Sequence, residues 1–142
     1  QNTFLRNFII GISEGKITSI KKFQNIRKVI ELSGAIFSGG VDAHVHFRDP
    51  GETEKEDFAS GSISAIFGGT TTVLDMPNNL TPVIDYNVYD SKKSMINRRS
   101  YCNYGLYSMF TGNNSSLIHE ESIGVKYIVG ESNKRVRCRG DK

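Results

Sequence analysis

Over the first 37 residues, apolar and β-branched side chains come in short runs, "TFLRNFIIG", "KITSIKKF" and "RKVIELSG", broken at Gly11, Gly15 and Gly34. Runs of this length and composition, bounded by glycine, predict short strands and a small antiparallel β element. From residue 41 the pattern changes to strand, helix, strand, helix. "VDAHVHF" alternates as a strand. After a turn at Pro50 and Gly51, Thr53 and Glu56 have the spacing of a capping box, and Ala59, Ile63, Ile66 and Phe67 follow at helical intervals until Gly68 and Gly69. "TTTVLDM", residues 70 to 76, is the second strand. A second helix over about residues 85 to 98 places Val88, Tyr89, Lys92, Met95 and Ile96 on one side. "YCNYGLYSMF" reads as strand three, and "GVKYIVG" as strand four after a short helix around "LIHEES". Strands alternating with helices in this way predict an α/β fold with a parallel sheet and helical crossovers.

Composition narrows the class. The 142 residues, 37% hydrophobic, suffice for one ordinary domain with a core. No apolar run approaches the ~18 residues of a membrane span, and "QNTFLRNFII" lacks the pattern of a secretory signal, so a cytoplasmic protein with no membrane partner is expected. Cys102 and Cys138 are far apart and form no C-x-x-C motif, which excludes a disulfide framework and leaves plain thiols. The net charge of +3 does not point to nucleic acid. Five basic residues against Asp141 give the last nine residues, "KRVRCRGDK", a net charge of +4, which leaves −1 for the rest of the chain. A short basic chain end reads as a solvated tail.

The first strand carries the candidate chemistry. Successive strand side chains alternate faces, so Asp42, His44, His46 and Arg48 form one row if the strand stays extended through Arg48. Two imidazoles two residues apart can converge on one divalent cation at ~2.0–2.1 Å, as zinc requires. Arg48, just beyond them, can grip a substrate carboxylate through two parallel hydrogen bonds. His119, in the polar "LIHEES" segment, reads as a surface residue, and Asp75 as a hydrogen-bonding support for a first-strand residue or a loop.

The stretch "GGVDAHVHFRDPGETEKEDFASGSISAIFGGTTTVLDMPNN", residues 39 to 79, resembles the metal-binding signature of dihydroorotases in the amidohydrolase superfamily, without a gap. The preceding "GKITSI" and "VIELSGAIFSGGVD" are similar to the β-sandwich strands that lead into the barrel of that family. Ser38 stands where a proline is common and Ala35 where a polar residue is common. The resemblance implies a partial (β/α)8 TIM-type barrel: sandwich strands over 1–39, the first four barrel strands over 40–131, and a basic tail over 132–142. It implies that His44 and His46 bind the more buried of two zinc ions, and that Arg48 with Asn78 of "MPNN" binds the carboxylate of dihydroorotate or carbamoyl-aspartate. On the residues alone, Pro77-Asn78-Asn79 reads rather as a turn after a strand.

Lys126, on the fourth predicted strand, falls where members of the superfamily carry a carboxylated lysine bridging two metals, although some dihydroorotases have an aspartate there. A strand-end lysine reaching solvent is the other reading. The family's proton-shuttling aspartate and two further histidine ligands come from later strands. The resemblance therefore implies no catalytic residue within these 142 positions, at most one bound zinc, and an incomplete chain, inactive alone, with exposed sheet edges that favour association. The implied chemistry is hydrolysis and reversible closure of a cyclic amide, with a small-molecule substrate in pyrimidine biosynthesis. Another cyclic amidase, an allantoinase or dihydropyrimidinase, and a non-catalytic scaffold remain open. Arg48 favours an acidic substrate over an uncharged ring.

Overall fold

The computed structural model describes residues 7–22 and 29–128, in two compact units, Gln1–Ile36 and Phe37–Lys142. In the first unit, β1 (Ile9–Ser13) and β2 (Lys16–Lys21) pair antiparallel, Ser13 facing Lys16 and Ile9 facing Lys21, with a register shift between Gly11 and Ile12. Their connection is the two-residue turn Glu14-Gly15, with φ of 49° and 72°, whose handedness matches the twist of the flanking strands. The strand expected over 27–34 does not form at 29–34. There Val29, Ile30 and Leu32 are exposed, so the β-prone run has no sheet face to bury. Residues 3–6, 23–28 and the basic tail expected at 132–142 lie outside the described residues.

The second unit is α/β. It runs β3 (Gly40–Val45), α1 (Phe58–Phe67), β4 (Thr70–Asp75), α2 (Tyr86–Ile96), β5 (Asn103–Leu106), β6 (Ser108–Phe110), a 3-10 turn at Ser115–Leu117, and β7 (Val125–Tyr127). β3, β4 and β5 form a parallel sheet in that order, and β6 pairs parallel with β7. The single strand expected over 101–110 is therefore two. At Tyr107 the chain changes partners: Tyr107 N donates to Asp75 O of β4 at 3.1 Å, and Ser108 N to Gly124 O, just before β7, at 3.1 Å. The helix expected around 117–122 is replaced by the 3-10 turn and a bend, as suits a segment with two adjacent glutamates and little apolar surface to bury.

Both helices begin on an aspartate. Asp57 accepts from Ser60 N at 2.8 Å, and Asp85 from Val88 N at 2.9 Å. The Thr53–Glu56 capping box does not form, because residues 48–55 are committed to turns, with Glu52 N on Arg48 O and Lys55 N on Glu52 O, both at 2.9 Å. The buried face of α1 also differs from expectation. Phe58, Gly61 and Ser62 are buried, whereas Ile63, Ile66 and Phe67 are exposed. On α2, Tyr89, Lys92 and Ile96 are buried as their spacing predicts, but Met95 is exposed.

The core is Phe47, Phe58, Val73, Val83, Tyr89, Ile96 and Leu106. Phe58, with no exposed surface, meets Phe47 edge-to-face at a centroid distance of 5.0 Å. Burial of such a ring stabilises the fold by about 1.5–3 kcal/mol. The Phe47 ring lies on Gly61, where a Cβ would come within 2.5 Å of a ring carbon. That contact sets how closely α1 approaches the end of β3. Gly61→Ala is expected to destabilise the protein by about 1–3 kcal/mol through overpacking, seen as a lower urea midpoint at unchanged m-value.

Candidate functional site

His44, His46, Arg48 and Asn78 lie at or just beyond the carboxyl ends of β3 and β4, and Lys126 of β7 reaches toward Met76 at the end of β4. β3 is held to β4 there by Met76 N donating to Val45 O at 2.9 Å and by Phe47 N donating to the buried Asp75 Oδ1 at 3.0 Å. His44 is the penultimate residue of β3 and His46 the first beyond it. Their rings converge, with centroids 5.2 Å apart at 55° and the two Nε2 atoms 3.3 Å apart. Two nitrogens on one tetrahedral zinc at ~2.0–2.1 Å stand about 3.3–3.4 Å from each other, so the pair fits a shared ion. Asp42 is used differently: its Oδ1 accepts from His44 N at 3.1 Å. Among the described residues no group of three His, Cys, Asp or Glu side chains forms a metal cluster.

Arg48 does not continue the strand row. β3 ends at Val45, and Arg48 has φ of 59°, in the left-handed region. A turn that must reach Pro50 and the buried Asp49 cannot stay extended. The guanidinium is one-third exposed, with Nη1 3.9 Å from Glu52 Oε2. Asn78, half-buried after β4, has its Oδ1 enclosed without a hydrogen-bond partner among the described residues. Lys126, in the middle of β7, is half-buried, and its Nζ lies 3.6 Å from Met76 Sδ.

The electrostatics tie these groups together. Burial, first, and then the charges of Arg48 and Lys126 with the neighbouring His44 hold His46 below the ordinary imidazole range, against an opposing pull from Asp75. Its neutral ring has a nitrogen lone pair available near pH 7.

Four supporting residues escaped the sequence reading. Lys92 Nζ, buried on α2, donates to Asp75 Oδ2 at 2.5 Å and to Asn79 Oδ1 at 2.7 Å. Asn79 Nδ2 donates in turn to Pro50 O at 3.3 Å. The buried Asp49 accepts from Phe58 N at 3.3 Å and pairs with Arg99 at 3.0 Å. The available signal was Lys92 itself, a cation on the apolar stripe of a helix. His119 is corrected: it is not a surface side chain but stacks on Tyr89, with centroids 4.2 Å apart at 10°, and its Nδ1 accepts from Glu121 N at 3.1 Å. Its side chain is only 12% exposed, because two tyrosines of α2 supply a flat apolar bed.

The model of the Amidohydrolase family matches residues 35–137. A dihydroorotase of Thermoplasma volcanium is 50% identical over 123 residues, which cover 87% of this chain and 30% of that protein. One from Thermoplasma acidophilum is 51% identical over 121 residues, 85% of this chain and 29% of that protein. Among solved structures, the L-hydantoinase (dihydropyrimidinase) from Arthrobacter aurescens superposes with a TM-score of 0.73 at 25% identity, covering 90% of this chain and 30% of that one. The chain thus spans about 30% of the length of the curated relatives it matches.

In a metal-free NMR titration, the His46 ring is expected to titrate below the ordinary value of 6.5. The native state then binds fewer protons at this ring than the unfolded chain. The contribution to stability is intact above pH 6.5 and is lost as pH falls toward the depressed native pKa. A His46 titration at or above the free-imidazole value would contradict this.

Proposed function

Because the chain belongs to the amidohydrolase family, we propose that β3, β4, β5 with β6, and β7 are the first strands of a (β/α)8 barrel. Their carboxyl ends would carry part of a zinc-dependent, dihydroorotase-like site that interconverts carbamoyl-aspartate and dihydroorotate in cytoplasmic pyrimidine biosynthesis. The observation that carries this reading is the 3.3 Å separation of the His44 and His46 Nε2 atoms, the bite of two ligands on one ion. His44, His46 and Lys126 would hold the metal, Lys126 after its amine takes up carbon dioxide and releases a proton to form a carbamate. Among the described residues Lys126 pairs with no carboxylate, which leaves its amine available. The chemistry that zinc supplies in such a site is polarisation of the ring carbonyl and activation of water.

The chain's own residues do the rest. Arg48 presents a planar pair of donors to a substrate carboxylate. Asn78 brings an enclosed amide whose oxygen has no donor among the described residues, so a ligand N–H would relieve a buried unsatisfied group. Arg48, close enough to lower the His46 pKa, gives the site a cation that suits an acidic substrate.

A second reading, a hydantoinase-like enzyme acting on an uncharged ring, draws on the likeness to the Arthrobacter aurescens structure. One measurement tests the metal pair and a second separates the readings. Elemental analysis is expected to find about one zinc per chain, lost in His44→Ala; absence of metal from the wild-type protein would refute the metal reading. Calorimetry with dihydroorotate is expected to show binding that Arg48→Met weakens by about 10–100-fold, the worth of a charge-assisted pair. Tighter binding of hydantoin, indifferent to Arg48→Met, would favour the second reading.

A further inference from the structure

We propose that Lys92 is a positioning residue for this site: a buried cation on α2 that sets the backbone carrying His46, Arg48 and Asn78 without touching a ligand. The inference rests on the reading of His44 and His46 as a metal pair. Lys92 is 1% exposed, and its ammonium has three donors, all engaged. They go to Asp75 Oδ2 at 2.5 Å, Asn79 Oδ1 at 2.7 Å and Met76 O at 3.3 Å.

Each acceptor leads to a candidate site residue. The other oxygen of Asp75 accepts from Phe47 N at 3.0 Å, one residue beyond His46. Met76 N holds Val45 O at 2.9 Å, between the two histidines. Asn79 is the neighbour of Asn78, and its amide nitrogen reaches Pro50 O at 3.3 Å, two residues beyond Arg48. A single ammonium thus completes three hydrogen-bond chains from the end of β4 and the loop after it to the segment 45–50 at the end of β3 and beyond. A neutral side chain of the same length would fill the space but leave Asp75 without its counter-ion and Asn79 Oδ1 without its donor. The two loops would then relax independently, and the 3.3 Å nitrogen separation would no longer be imposed. Supporting partners of metal ligands typically contribute 10–100-fold in metal affinity.

The test compares Lys92→Met with Ile96→Ala, a core substitution on the same helix that contacts none of these groups through hydrogen bonds. Cobalt(II) titration, followed by its visible absorption bands well below the unfolding transition of each variant, reads metal affinity. Hydrogen exchange of the Phe47 amide, scaled to the slowest core amides of the same variant, reads backbone positioning. Lys92→Met is expected to weaken cobalt binding by about 10–100-fold and to speed scaled Phe47 exchange by about tenfold or more, an opening cost typical of a lost buried hydrogen bond. Ile96→Ala should change neither beyond its general loss of stability. If Lys92→Met keeps both wild-type cobalt affinity and wild-type Phe47 exchange, or if Ile96→Ala reproduces its losses, the proposal is overturned. If the wild-type protein binds no cobalt, the metal reading fails, and Phe47 exchange alone decides the positioning role of Lys92.

Discussion

A carboxylate sealed from water at the end of a strand dictates its own surroundings. Asp75 is 1% exposed, and a charge so buried costs several kcal/mol unless its oxygens are occupied. One oxygen takes the Phe47 amide and the other the Lys92 ammonium. The first bond joins β4 to the end of β3, and the second joins both to α2. The docking of α2 on β4 and the direction in which the histidine-bearing segment leaves the sheet are thus both tied to satisfying one side chain. The core has the same focus: Phe47, one residue past His46, packs on Phe58 and Gly61, so the segment that presents the imidazoles is anchored from beneath by apolar contact and from the side by hydrogen bonds.

A similar arrangement closes the other flank. Asp49 receives the first amide of α1 and the Arg99 guanidinium from beyond α2, and Arg99 also approaches the capping Asp57 at 3.6 Å. Two buried carboxylates, Asp49 and Asp75, thus bracket the turn that carries Arg48. Asp75 draws its cation from α2, and Asp49 draws its own from the turn that follows it. Arg48, the cation proposed to meet a substrate carboxylate, is set apart from this internal pairing and remains partly exposed.

Much of this was legible in the residues. Period-two alternation located β3, the β-prone run at 70–76 located β4, glycines marked the end of α1, and the H-x-H spacing did bring two ring nitrogens to a common point. What was not legible depended on partners remote in sequence. The α1 capping box was misplaced because Thr53 and Glu56 fit the local rule while Asp57, one residue later, fits it with the observed helix start. Ile63, Ile66 and Phe67 read as core by periodicity, but the sheet end selects the face with the small residues Gly61 and Ser62, where Phe47 and Tyr101 need room. The division of 101–110 at Tyr107 arises from a change of hydrogen-bonding neighbour, for which local composition has no marker. His119 was read as solvent-facing because the tyrosines that cover it lie some thirty residues earlier.

The left-handed backbone at Arg48 has a further implication. An L-residue with a Cβ in that conformation sits about 1–3 kcal/mol above its relaxed state, whereas glycine there would be at ease and asparagine nearly so. None of the residues that suit the conformation carries a positive charge. A screen that rewarded thermal endurance alone would drift away from arginine at this position, and the variants it enriched would be hardier but without the cation proposed to bind a carboxylate. With Arg48 as the proposed carboxylate binder, the turn is a point where durability and recognition compete for one side chain.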